Sequence, residues 1–190
     1  MRFCDFKTFG DPTLEGAKNA LGSFLSDFPK PGAIPYTLAL LGNCGTGKTA
    51  LARAAWDQIA TYGGLAWEKL GEPDATGRQG YFRPSNRDCG WHYWPDISDG
   101  FKAGEFWPCD DIPNEWFSVL DDVGADYDPN RIAAGKLDLI LRRSRGRWRI
   151  VTSNLLLKHI REKLDTRIAS WLIRDENRYV EITAPDYATR

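Results

Sequence analysis

The chain carries a glycine-rich stretch that reads Gly42-Asn43-Cys44-Gly45-Thr46-Gly47-Lys48-Thr49. It matches the pattern G-x-x-x-x-G-K-[ST], in which backbone N–H groups and the lysine hold phosphate oxygens. An apolar run from 36 to 41 precedes it and predicts a buried strand, and the pattern from about 48 to 61 predicts a helix. Strand, loop and helix are the context that the motif requires. The sequence therefore predicts a nucleotide site formed by this loop and Ala50.

Two acidic residues, Asp121 and Asp122, follow a second apolar run from 116 to 120 that predicts another buried strand. Acids at the carboxyl end of a parallel strand face the ligand crevice of an open α/β sheet. We expect Lys48 to reach the β- and γ-phosphates, and Thr49 and Asp121 to bind Mg²⁺. Asp122 would orient or activate the attacking water. The alternative is a strand end with two solvated acids.

A third polar position, Asn154, follows the strand predicted from 148 to 152. A polar side chain at the end of a buried strand is costly unless it has a partner. The amide of Asn154 is therefore expected to hydrogen-bond the γ-phosphate or the attacking water. Alternatively, it caps the helix predicted from 155 to 164.

Arg167 lies on the next predicted helix, from 166 to 172. From there it would reach the γ-phosphate of a neighbouring subunit and stabilise charge in the transition state. A surface salt bridge with Asp165 or Glu162 is the alternative, and Arg174 is a second candidate for the same role.

Helices alternate with five predicted strands, which favours a parallel sheet with helices on both faces. We expect residues 1 to 35 to form an N-terminal segment with one helix. Residues 36 to 190 would form the nucleotide-binding core, with a long Trp- and Arg-rich insertion at about 63 to 113. Further strands are predicted at 90–95 and 179–183, and further helices at 12–27, 96–106 and 129–143.

The composition, with 190 residues, 42% hydrophobic and 27% charged, suits one globular domain with a buried core. No apolar run approaches a membrane span, and the N-terminus lacks the apolar stretch of a signal peptide. Four irregularly spaced cysteines favour a reduced, cytosolic protein, and no membrane partner is expected. The net charge of −1 means that any DNA contact requires a local basic patch or oligomerisation.

Together these motifs resemble the AAA+ ATPases, especially the helicase-loader branch of DnaC-like proteins and IstB transposition helpers. The resemblance covers roughly residues 35 to 183. It implies a P-loop NTPase fold of three α/β/α layers, with a five-stranded parallel sheet in the order 5-1-4-3-2 and no C-terminal lid domain. Besides the glycine-rich loop, the motifs that carry it are Leu-Asp-Asp-Val-Gly at 120, Val-Thr-Ser-Asn-Leu at 151 and Asp-Thr-Arg-Ile-Ala-Ser at 165.

By this resemblance, Lys48 and Thr49 belong to Walker A, and Asp121 and Asp122 to Walker B. Asn154 is the first sensor and Arg167 the arginine finger. The chain departs from many AAA+ proteins in having Asp122 where they have Glu, and Trp171 where they have a second Arg.

The resemblance further implies slow hydrolysis of ATP with Mg²⁺, and self-association in which Arg167 acts in trans. The expected partners are a replicative helicase, which the protein loads or remodels, and DNA, with single strands favoured. The expected location is the cytoplasm of a bacterial or phage-infected host cell. Three alternatives remain at this point. They are an ATP-gated DNA-binding transposition helper of IstB type, a small P-loop kinase, and a nucleotide switch with negligible turnover.

Two arginine-containing segments admit a DNA contact. One is a cluster between the predicted 129–143 helix and the next strand, which would bind a DNA backbone or end a helix in a solvated turn. The other, from 78 to 94, interleaves Arg with aromatic residues, and would stack on single-stranded bases or form a small satellite core. The first cluster comprises Arg142, Arg143, Arg145, Arg147 and Arg149.

The spacing Cys89-x-x-His92, with Cys109 and Asp110 later, admits a zinc site. The second half lacks a paired C-x-x-C or H-x-x-x-H, and buried free cysteines are the alternative.

Overall fold

The computed structural model describes residues 2–28, 30, 32–61, 68–70, 80–82, 89–126, 128–174 and 176–187. Among these, the strands are β1 (Thr37–Gly42), β2 (Glu68–Leu70), β3 (Gly80–Phe82), β4 (Cys89–Tyr93), β5 (Phe117–Val123), β6 (Trp148–Ser153) and β7 (Arg178–Ile182). The helices are α1 (Pro12–Asp27), α2 (Lys48–Trp56), α3 (Trp94–Lys102), α4 (Pro108–Asp111), α5 (Ile132–Arg143), α6 (Leu157–Lys163) and α7 (Thr166–Leu172). A π-helical turn, Asp57–Thr61, extends α2, and 3₁₀ turns lie at Phe3–Asp5 and Ile112–Asn114.

The main sheet is parallel and runs in the order β4-β5-β6-β1-β7. Numbered along the chain as the strands of this sheet, that order is 2-3-4-1-5, which is the predicted order 5-1-4-3-2 read from the other edge. The predicted fold class is therefore confirmed. Since parallel strands all end at the same edge, the carboxyl ends of β5, β6 and β1 lie side by side at the centre of the sheet.

Apolar side chains cover both faces of this sheet, because residues along each strand alternate between the faces. On one face, Leu41 of β1 and Leu120 of β5 pack into a cluster with α3, α5, α6 and α7. On the other face, Leu40 of β1 and Val119 of β5 pack with α1 and α2. The result is the three-layer α/β/α arrangement, and the N-terminal helix α1 belongs to its packed core. None of the helices in the described ranges is long and apolar enough to span a membrane.

The helix after β5 begins later than the sequence predicts, at Ile132 rather than at residue 129. Both carboxylate oxygens of Asp128 accept hydrogen bonds from this helix start, one from the N–H of Ile132 at 2.8 Å and one from that of Ala134 at 2.9 Å. Because Asp128 binds N–H groups that have no partner within the helix, α5 starts beyond it.

The segment predicted as an insertion contributes β4 to the sheet, since Cys89–Tyr93 pairs in parallel with β5. The guanidinium carbon of Arg53 lies over Trp91 of β4, 3.9 Å from the centroid of the Trp91 ring. Trp91 also packs edge-on against Trp56, with the ring centroids 5.9 Å apart. At this position the aromatic residue is part of a packed cluster. Of the predicted insertion, residues 63–67, 71–79 and 83–88 lie outside the described residues.

Arg149, one of the five clustered arginines, is buried in the core with none of its surface exposed. Its Nε donates to Ser118 Oγ at 2.7 Å, and its Nη2 donates to the carbonyl of Ile112 at 3.1 Å. The DNA-backbone hypothesis is therefore wrong for Arg149. The physical reason is its position within β6, where every side chain is buried.

Candidate nucleotide site

The glycine-rich loop connects β1 to α2 at the carboxyl edge of the sheet. Gly42 ends β1 with a φ of 148°, and a Cβ added there would overlap the backbone carbonyl oxygen of Ile182 on β7. Gly47 is the N-cap of α2 and has a left-handed φ of 91°. These two backbone positions turn the chain so that the N-terminus of α2 faces the crevice, where its free N–H groups attract anions.

Lys48, the first residue of α2, lies at the centre of this loop with 5% of its surface exposed. Its ammonium donates to the carbonyl of Asn43 at 2.5 Å and to Thr46 Oγ1 at 3.3 Å. Burial lowers the pKa of Lys48, and the negative charges of Asp122 and Asp121 oppose part of that effect. The loop therefore holds a largely desolvated cation close to two acids, which suits a phosphate ligand.

A chain of hydroxyl and carboxylate groups joins α2 to β5 and β6. Thr49 Oγ1 donates to Asp121 Oδ1 at 2.9 Å, and Thr152 Oγ1 donates to the same oxygen at 2.7 Å. Thr152 Oγ1 also accepts from the backbone N–H of Asp122 at 2.8 Å. The residues predicted to bind Mg²⁺, Thr49 and Asp121, are thus adjacent, and they provide the hard oxygen ligands that this ion prefers. The donor set fits the ion.

Thr152 is a site residue that the sequence reasoning missed. Thr152 is the last residue of the strand predicted from 148 to 152, and this position could have identified it. Parallel pairing of β6 beside β5 brings a hydroxyl at the end of β6 next to the two acids.

Asp122 leaves the regular ladder of β5. It has a φ of 63°, unusual for a residue with a side chain, and the pairing of β5 with β6 shifts register between Leu120 and Val123. This bulge turns the Asp122 carboxylate toward the loop. Burial raises its pKa, and the nearby Asp121 charge raises it further, while Lys48, Tyr93 and Asn154 lower it.

The side-chain amide of Asn154 donates a hydrogen bond to Asp122 Oδ1. The following helix, α6, has Leu156 rather than Asn154 as its N-cap. The helix-cap alternative for Asn154 is therefore wrong, because its amide is engaged with the acid at the end of the neighbouring strand. The structure brings Asn154 and Asp122 together at the same crevice as Lys48.

These residues surround one cavity of about 350 Å³ at the carboxyl edge of the sheet. Two of the residues around it, Asp186 and Tyr187, follow the last strand and were missed by the sequence reasoning, which found no motif there. The cavity is lined by Cys44, Gly45, Gly47, Lys48, Thr49, Ala50, Asp122, Asn154, Asp186 and Tyr187.

Arg167 does not line this cavity. It lies on α7 with 63% of its side chain exposed and forms a two-point ion pair with Asp165, Nε to Oδ1 at 3.1 Å and Nη2 to Oδ2 at 2.9 Å. Its Nη1 lies 3.7 Å from a carboxylate oxygen of the buried Asp138. The hydrogen bonds that Arg167 donates to Asp165 lower the pKa of Asp165 to about 2. Within one chain, Arg167 is therefore part of a salt-bridge network rather than of the nucleotide site.

The residues of the zinc hypothesis do not form a metal site. Within the described ranges, no group of three or more His, Cys, Asp and Glu residues is placed to hold a metal ion. His92 instead contacts the carboxylate of Glu115 at 2.8 Å. None of the four cysteines, all of which lie in the described ranges, forms a disulfide.

No protein-family model matches the sequence, and no curated protein of sufficient similarity is found. Solved structures do resemble the chain. The DnaI crystal structure has a TM-score of 0.70 at 20% identity, covering 97% of this chain and 89% of that one. The DnaC helicase loader has a TM-score of 0.67 at 17% identity, covering 96% of both chains.

A third similar structure is the replication initiator DnaA bound to AMPPCP and single-stranded DNA. Its TM-score is 0.64 at 16% identity, and the match covers 97% of this chain and 50% of DnaA. The sheet order, the glycine-rich loop and these similarities agree with one another. The chain therefore has the same fold as the structures of DnaI and of the DnaC helicase loader.

Proposed function

We propose that this protein binds and hydrolyses ATP and acts in DNA replication by loading or remodelling a replicative helicase. The observation that carries the proposal is the convergence of Lys48, Thr49, Asp121, Asp122 and Asn154 at one edge of the sheet. A phosphate-binding loop alone is compatible with many reactions. The added pair of acids and the amide directed at one of them are the parts expected of a site that hydrolyses a nucleotide.

The binding half of the site consists of Lys48, Thr49 and Asp121. The Lys48 ammonium offsets negative charge on the phosphates, and its partial burial strengthens that interaction. Thr49 and Asp121 would hold Mg²⁺, which supplies further positive charge at the β- and γ-phosphate oxygens. Thr152 fixes the Asp121 carboxylate by donating a hydrogen bond to its Oδ1.

The hydrolytic half consists of Asp122 and Asn154. Asp122 accepts a hydrogen bond from the attacking water and acts as a general base, taking a proton from the water as it attacks the γ-phosphate. The raised pKa makes Asp122 a better proton acceptor than an exposed carboxylate. Asn154 holds Asp122 Oδ1, and the Tyr93 hydroxyl also hydrogen-bonds this carboxylate, so both neighbours orient it.

The remaining charge is proposed to come from Arg167 of a neighbouring subunit. Arg167 is exposed, and its guanidinium lies on a surface that another subunit can approach. Arginine supplied in trans is a known way to stabilise the transition state of phosphoryl transfer. In this proposal, Arg167 exchanges part of its contact with Asp165 for the γ-phosphate of the neighbour, and the protein works as a homo-oligomer.

The first test is turnover of ATP by purified protein, measured as phosphate release. Lys48→Ala should lower kcat by about 100-fold or more, because it removes a charge used in the transition state. Lys30→Ala, which changes an exposed lysine, is the matched control and should retain full activity. Wild-type turnover by Lys48→Ala would refute the proposed site.

The second test concerns the partner and is a pull-down from the native host, with and without ATP. We expect a replicative helicase that is retained in an ATP-dependent manner. ATP-dependent filaments on duplex DNA without a helicase would instead indicate the transposition-helper alternative. Phosphoryl transfer to a small acceptor that is faster than transfer to water would indicate a kinase.

A further inference from the structure

The chain that follows β7 folds back over the phosphate loop. The backbone N–H of Tyr187 donates to the carbonyl of Gly45 at 2.6 Å. The Asp186 carboxylate lies against Gly45, 2.6 Å from where a Cβ of that residue would be. The Tyr187 ring lies 3.3 Å from the corresponding position on Gly47. The two loop glycines therefore have part of their surface covered by this segment rather than by solvent.

The N-terminal segment holds Tyr187 in this position. Its ring stacks on Phe6 with centroids 4.9 Å apart and meets Phe9 edge-on at 5.4 Å. The Tyr187 hydroxyl accepts a hydrogen bond from the backbone N–H of Lys7 at 3.2 Å. Phe6 is fully buried. Tyr187 is thus fixed by a backbone hydrogen bond to Gly45 of the phosphate loop and by aromatic contacts with the N-terminal segment.

The charge of Asp186 is unfavourable for the ligand that this cavity is proposed to bind. Asp121 and Asp122 have proposed roles with the metal ion and the water. Asp186 instead places its carboxylate at Gly45, a residue of the loop whose N–H groups receive phosphate oxygens. A carboxylate there adds a negative charge next to a triphosphate, and it also resembles the anion for which the loop is shaped.

We propose that residues 185–187 form a gate that competes with the nucleotide for the phosphate loop, with Asp186 as its charged element and Tyr187 as its anchor. This inference rests on the proposed nucleotide-binding function. Binding of ATP would move Asp186 away from Gly45, and the anchor contacts of Tyr187 with Phe6 and Lys7 would return the segment once the nucleotide leaves. The gate lowers affinity and slows entry of the nucleotide.

The test is the affinity and association rate of a fluorescent ATP analogue, measured by titration and stopped flow. Asp186→Asn removes the charge and keeps the shape, so we expect its Kd to be about fivefold to tenfold lower than that of the wild type, with faster association. Because Asp186 is exposed, this difference should shrink as the salt concentration rises. Asp99→Asn, which removes an exposed charge on α3, is the matched control and should bind like the wild type.

A Kd for Asp186→Asn that equals or exceeds the wild-type value, in a protein with an unchanged melting temperature, overturns the gate and leaves the nucleotide site intact. If neither protein binds the analogue, both the gate and the proposed function fail. Tyr187→Phe offers an independent reading, because it keeps the ring on Phe6 and removes the bond from Lys7. It should accelerate association, and a rate identical to that of the wild type would overturn the role of Tyr187 as anchor.

Discussion

A single carboxylate, Asp122, combines a proposed chemical role with a cost to folding. Its left-handed backbone is strained for a residue with a Cβ, and its burial beside Asp121 raises its pKa. In the folded protein the charged form is therefore disfavoured relative to the unfolded chain. The folded state is penalised as pH rises from the unfolded pKa, about 3.8, through the higher folded pKa. Below that interval both states are protonated and the penalty is absent.

We predict that Asp122→Asn abolishes most turnover and raises the melting temperature at pH 7. The amide cannot accept a proton from water, so kcat should fall by about 100-fold or more. The amide also carries no charge, and Asn tolerates a left-handed backbone. The part of this gain that comes from the charge should shrink as the pH falls toward 3.8 and be absent below it, where wild-type Asp122 is neutral in both states. Phosphate release and thermal unfolding between pH 3 and pH 8 measure both effects.

Asp110→Asn, which neutralises an exposed carboxylate, is the control for a general effect of net charge. A melting temperature of Asp122→Asn below that of the wild type at pH 7 would show that the folded state does not penalise the Asp122 charge.

Individual site residues were predictable where a local motif carried them. Lys48 and Thr49 belong to one loop, and Asp121 and Asn154 each end an apolar run, so that a parallel sheet brings them together. Asp186 and Tyr187 could not be predicted in this way. Their proximity to the loop depends on how the chain turns after β7, and no pattern in the last residues encodes that turn.

Among the elements, the junction of β1 and β7 depends on Gly42. Replacement by Ala would impose a Cβ on a φ of 148° and drive it into the Ile182 carbonyl, so β7 must shift away from β1. We predict that Gly42→Ala lowers the free energy of unfolding by about 3 kcal/mol or more. Urea denaturation monitored by tryptophan fluorescence measures this loss.

The control for Gly42→Ala is Gly104→Ala, which has a φ of 90° but open space around the added Cβ. It should cost only the backbone penalty, about 1 kcal/mol. Equal losses for the two variants would mean that contact with β7 contributes nothing.

Strand β6 carries the buried arginine, Arg149. Truncation to Ala would leave a cavity and remove the partner of Ser118 Oγ and the Ile112 carbonyl. We predict that Arg149→Ala lowers the free energy of unfolding by about 3 kcal/mol. Arg143→Ala, which removes an exposed pair with Asp110, should cost less than about 1 kcal/mol. A loss of under 1 kcal/mol for Arg149→Ala as well would contradict a structural role.

The elements were predictable to the extent that hydrophobic periodicity determines them. The strands of the main sheet and the helices packed on it were predicted because each buries a regular apolar face. Arg149 was grouped with exposed arginines because a run of like charges reads as a surface turn. The turn ends at Trp148, and from there the buried strand pattern applies to the arginine as well.

For the molecule as a whole, the cavity at the glycine-rich loop is lined by Lys48 but not by Arg167, which lies on α7 in a network with Asp165 and Asp138. A site completed by a neighbour requires a head-to-tail contact, in which one surface of each subunit meets a different surface of the next. In such an assembly, each interface combines Lys48 of one subunit with Arg167 of the next. A Lys48 substitution and an Arg167 substitution therefore damage opposite sides of the interface.

We therefore predict that Lys48→Ala and Arg167→Ala are each inactive alone and recover activity when mixed. An Arg167→Ala subunit keeps its own Lys48, and a Lys48→Ala neighbour supplies the arginine. Random assembly of equal amounts makes about one quarter of the interfaces complete, so turnover should reach about one quarter of the wild-type rate.

The control mixture pairs Arg167→Ala with a chain that carries both substitutions, and it should remain inactive because no subunit supplies Arg167. Arg167→Ala alone should still bind the fluorescent ATP analogue, since Arg167 lies outside the cavity of its own chain. Full turnover by dilute, monomeric Arg167→Ala would exclude the trans role, because a monomer has no neighbour to complete its site. A mixture that co-assembles without regaining turnover would exclude it as well, since every complete interface would then be inactive despite holding both Lys48 and a neighbour's arginine.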